Sequence, residues 1–83
     1  MSNLAIFKTL DQLVDQWCER RELAPLRYLL PSYPMASALT DDWHQLYESL
    51  KAVRAFCRDH LSEEEQNQIG NVIVAIQHIL ENR

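Results

Sequence analysis

Glycine occurs once in this chain of 83 residues and proline only three times, which leaves long stretches without a helix breaker. Two cysteines, Cys18 and Cys57, are too few for a disulfide framework, and this excludes the stapled class of small secreted domain. No basic segment followed by an apolar core opens the chain, so no secretory address is expected. The longest purely apolar run near the C-terminus, Val72-Ile73-Val74-Ala75-Ile76, falls far short of the roughly 20 residues of a membrane span. These absences together predict a reduced, cytoplasmic protein with no membrane association.

Positive charge is also scarce. Eight Lys and Arg stand against twelve Asp and Glu, giving a formal charge of −4. Residues 1–39 are balanced at four of each sign, so the whole excess lies in residues 40–83, with eight acids against four bases. A nucleic-acid partner usually requires a concentrated basic face, and this balance argues against one. Only Arg20, Arg21 and Arg27 suggest a local basic patch.

What remains is an ordinary globular composition, 47% hydrophobic and 24% charged. A domain of this size buries only about 60–65% of its unfolded surface, so its core must be efficiently apolar. The apolar spacing predicts helices at about 3–22, 25–30, 41–60 and 63–81. Phe7, Leu10, Leu13/Val14 and Trp17/Cys18 make the first stripe, with Ser2 as its expected cap in preference to Thr9. Pro25 suits the start of the short second helix, and Pro31 stops it. Thr40 is placed to cap the third helix, ahead of Asp41 and Asp42 in its first turn. Its stripe runs through Trp43, Leu46, Tyr47, Leu50, Val53, Cys57 and Leu61. Ser62 and Glu65 form a capping box for the last helix, whose stripe is Ile69, Val72, Ile73, Ile76, Ile79 and Leu80. Short connections favour antiparallel neighbours. The expected fold is one all-α domain, a small up-down-up bundle of three long helices with a short helix after the first.

The candidate chemistry is thin. His44, His60 and His78 share no helical face at metal-binding spacing; Cys57 and His60 have such spacing but lack further ligands. No metal or other cofactor is expected. Cys18 and Cys57 both fall on predicted inward faces, as small hydrophobes. Glu63, Glu64 and Glu65 already have a structural purpose at a positive helix end. No nucleophile–base set or phosphate loop is present, so an enzyme is not expected.

Off-pattern residues are more informative. Arg21 continues the first stripe and Arg54 falls within the third, and a guanidinium on an apolar face needs a partner or an exit to water. With Tyr47, Trp17 and Trp43, these two arginines could line a pocket for a small carboxylate or phosphate. Phe56 and Val74 lie off their helices' core faces. Val74 shares its side with Gly70, a residue that in mid-helix often marks the close approach of another backbone. Tyr33 and Met35 add apolar surface in the connector. The first functional expectation is a small acidic protein-interaction module, binding a partner or a second copy through Tyr33, Met35, Phe56 and Val74. The alternative is a small-anion-binding domain built on Arg21, Arg54, Tyr47, Trp17 and Trp43.

Overall fold

A computed structural model describes residues 2–33 and 40–81. Within them the chain forms α1 (Asn3–Arg20), α2 (Leu23–Leu29), α3 (Thr40–Phe56), a 3₁₀ turn (Arg58–His60) and α4 (Glu63–Glu81). There is no strand among the described residues. The helix α3 packs on both α2 and α4, and α1 completes the bundle by touching the same two helices. The Cα radius of gyration, 11.9 Å, is what a fully compacted chain of this length should show, about 12 Å.

Local chemistry explains most of the boundaries. The Ser2 hydroxyl accepts from the Ala5 amide at 3.1 Å, so α1 starts early and Thr9 lies inside it, donating back to the Ala5 carbonyl at 2.9 Å. The first helix ends at Arg20, two residues before the expected end. Arg21 turns left-handed at φ 57°. Its N–H bonds the Cys18 carbonyl while the Glu22 N–H bonds that of Trp17 at 2.8 Å. This is a Schellman-type stop. No glycine is available there, and an arginine in this backbone region costs about 1 kcal/mol.

The short helix begins at Leu23, not Pro25, and the proline sits in its first turn, where amide donors have no helical partner in any case. Thr40 is the first helical residue of α3 and not its preceding cap. That helix also stops early, at Phe56; the predicted extension to residue 60 is replaced by the 3₁₀ turn. The capping box before α4 is complete. Ser62 N–H donates to Glu65 Oε1 at 3.0 Å, and Glu65 N–H donates to the Ser62 hydroxyl at 3.1 Å.

One core joins the four helices. It contains Ile6, Leu10, Leu13 and Trp17 from α1, Leu26 and Leu29 from α2, and Trp43, Leu46, Leu50 and Val53 from α3. Ile69, Val72, Ile73 and Ile76 complete it from α4, with Cys57 and Leu61 from the turn. Phe7 stacks on Trp43 with ring centroids 5.7 Å apart, which ties α1 to α3. Cys57 is buried there, but Cys18 is exposed, one residue past Trp17 and about 100° around the helix from it. The inward assignment of Cys18 is therefore corrected, and the two thiols are both free.

Candidate functional site

Tyr33 is not a surface residue. It is buried in the core cluster, and its hydroxyl donates to the Phe7 carbonyl and to the Asp11 carboxylate. Burial, and then the bond to Asp11, push its phenol pKa well above the usual tyrosine value. The connector thus anchors itself on α1 through one aromatic side chain, and Tyr33 cannot serve a partner without leaving the core. Met35 lies outside the described residues.

The five residues of the expected anion pocket do not form one. Trp17 is fully buried and Trp43 nearly so, because both rings fill the space between helices. Arg21 is exposed at the left-handed stop of α1. Tyr47 is half-buried and carries the Lys51 ammonium 5.0 Å above its ring. Arg54 turns instead toward α4. Its Nη1 lies 4.0 Å from the point where a Cβ on Gly70 would sit. The neighbour at Gly70 is therefore a side chain and not another backbone. A methyl group fits there at ordinary contact distance, so Gly70→Ala should raise stability by about 0.5–1 kcal/mol in urea unfolding, through helix propensity.

The remaining partner-binding residues fall on two different flanks of α3. Phe56 is 72% exposed and stacks on Tyr28 of α2, with ring centroids 5.8 Å apart. Leu23 of α2 and Leu30 just past its end are exposed as well, but they face about 140–160° around the helix from Tyr28. Val74 is 52% exposed but lines an open groove between α3 and α4, together with Arg54, Arg58, Gln66, Asn67, Gly70 and Asn71. Positions 54 and 56 point about 200° apart on one helix, which is why the apolar surface and the groove are separate.

A polar cluster at the other end of α1 escaped the sequence reading. The Arg20 guanidinium donates to both oxygens of Glu65 at 2.8 Å, from the last turn of α1 to the first of α4. Glu65 is 2% exposed. Burial on its own would raise this carboxyl; the Arg20 hydrogen bonds, the Ser62 amide and the Arg20 charge outweigh it and hold its pKa below the usual carboxylate value. The Trp17 indole lies near enough to favour the charged form, yet its Nε1 has no partner at hydrogen-bonding geometry. Beside this pair, His60 Nδ1 meets Glu22 at 2.9 Å. The cluster clasps the end of α1 to the α3–α4 turn. Its members are matched to one another, so it reads as structure.

Among the described residues, no three His, Cys, Asp or Glu side chains gather as a metal ion would need, and no helix is long and apolar enough to cross a membrane. No family model matches this chain, and no curated protein or solved structure is similar enough to count as a match.

Proposed function

We propose that this chain is a small protein-interaction module, a regulator, adaptor, inhibitor or subunit, that docks through the apolar surface shared by α2 and the end of α3. One observation carries the reading: Phe56 and Tyr28 stack on each other in solvent instead of in the core. Single exposed apolar residues are ordinary, but two aromatic rings stacked on each other at the surface form a ready contact patch. Aromatic side chains are enriched where interfaces bury their energetic centres. The rings are already ordered against each other, so a partner loses little entropy in fixing them. The partner surface proposed here is narrower than the sequence suggested. It keeps Phe56, gains Tyr28, and leaves Val74 to the groove.

Light scattering on chain recovered gently from its native host should show a species heavier than 9.8 kDa. Phe56→Glu should return it to the monomer mass without changing the circular dichroism spectrum, since the side chain is not in the core. A wild-type chain found only as a monomer, or a variant that stays associated, defeats the proposal.

A further inference from the structure

The groove between α3 and α4 combines features that point to a second binding site. Its α4 wall is Asn67, Gly70, Asn71 and Val74, the i, i+3, i+4, i+7 positions that normally carry a packing stripe. Here three of the four positions are glycine or asparagine, and among the described residues no helix covers them. Its α3 side supplies Arg54 and, beyond the helix end, Arg58. Neither guanidinium makes an ion pair among the described residues, and no acid lines the groove. That is notable in a chain with four more acids than bases, eight of its acids lying in the same half as these two arginines. Gln66 spends its amide N–H on the Arg58 and Leu61 carbonyls, each at 3.4 Å, which fixes the floor at the turn end.

We infer that this groove binds an acidic segment of a partner polypeptide. Two forked cations are matched by two carboxylates, each able to accept paired hydrogen bonds. The carboxamides of Asn67 and Asn71 both donate and accept, as a peptide backbone requires. Arg54 reaches over Gly70, which presents its guanidinium along the groove, and Val74 gives an apolar contact at the far end. From Asn67 to Val74 the wall is about 10 Å long, the reach of about three extended residues. The volume is about 670 Å³ and open to solvent, which suits a segment lying along the surface and not an enclosed metabolite. The inference rests on the interaction reading only in taking a polypeptide as the occupant. The groove lies on the opposite flank of α3 from Phe56.

Fluorescence anisotropy of the full chain with a labelled peptide alternating Glu and Ala tests it, against a Gln–Ala peptide of the same length. Binding of the Glu peptide should be at least ten-fold tighter than of the Gln peptide and should weaken as salt is raised. Arg54→Glu with Arg58→Glu should abolish it, and Arg54→Gln with Arg58→Gln should weaken it at least ten-fold should the charge reversal perturb folding. Phe56→Glu and Arg27→Glu should leave it unchanged, which separates this site from the aromatic surface and from general charge. Equal binding of both peptides, or equal loss in Arg27→Glu, overturns the proposal. So does binding of inorganic phosphate without the Glu peptide, which would mark a small-oxyanion site instead.

Discussion

Arg20→Ala is expected to cost about 2–3 kcal/mol of folding stability at neutral pH, and most of that cost should disappear in acid. Removing one member of a buried pair strands the other charge, at about 3–5 kcal/mol when both are fully enclosed. Arg20 itself is 44% exposed, so water already screens part of the interaction and the lower figure applies. The pH dependence has a definite sign. In the wild type the Glu65 carboxyl titrates below its unfolded value, so its contribution is present above about pH 4 and is lost as pH falls through the folded pKa. Without Arg20 the carboxyl loses the main group that favours its charged form, so its pKa rises and the variant loses less stability than the wild type as pH falls. The gap between the two proteins should therefore narrow as pH falls and close only below about pH 4, once the wild-type carboxyl is protonated as well. Urea unfolding at neutral pH and below about pH 4 decides the matter; a constant gap would mean that Arg20 acts through packing and not through charge.

Trp17→Ala should be the most damaging single substitution in the core, at about 3–5 kcal/mol. Domains of this length have about 4–12 kcal/mol in total, so the variant approaches the threshold of folding. In thermal unfolding the midpoint should drop by about 15–30 °C. Trp17→Phe separates the two properties of the side chain. It keeps much of the ring in the core and removes an indole N–H that has no hydrogen-bond partner among the described residues. Its cost should stay near 1–2 kcal/mol. A Phe variant as damaged as the Ala variant would show that the N–H supports Glu65 in solution.

The features readable from sequence were those decided within a few residues. Ser62 and Glu65 form a capping box because both partners lie within one turn, and the α4 stripe is periodic throughout. The Arg20–Glu65 pair is separated by 45 positions, and no local pattern links such residues. Extending the α1 stripe selected Arg21, one residue too far, because the helix had already stopped. Tyr33 sits between two prolines with no periodicity, and its burial depends on Phe7 and Asp11 more than twenty residues earlier. Phe56 and Val74 stood out individually as off-pattern. Which neighbours each would meet depends on how α2 and α4 lie against α3, a relation absent from any single helix.

The distance along the chain between Arg20 and Glu65 also assigns their contact a place in time. Helical turns form from near neighbours in well under a millisecond, whereas joining residues this far apart costs the closure entropy of the intervening chain. If the clasp closes after the rate-limiting barrier, its energy falls on the unfolding limb, and Arg20→Ala should speed unfolding while leaving the folding rate nearly unchanged in stopped-flow measurements. The clasp would then lengthen the life of each folded molecule. In a domain this small, that lifetime sets how often the core is open to proteolysis when cleavage outpaces reclosure.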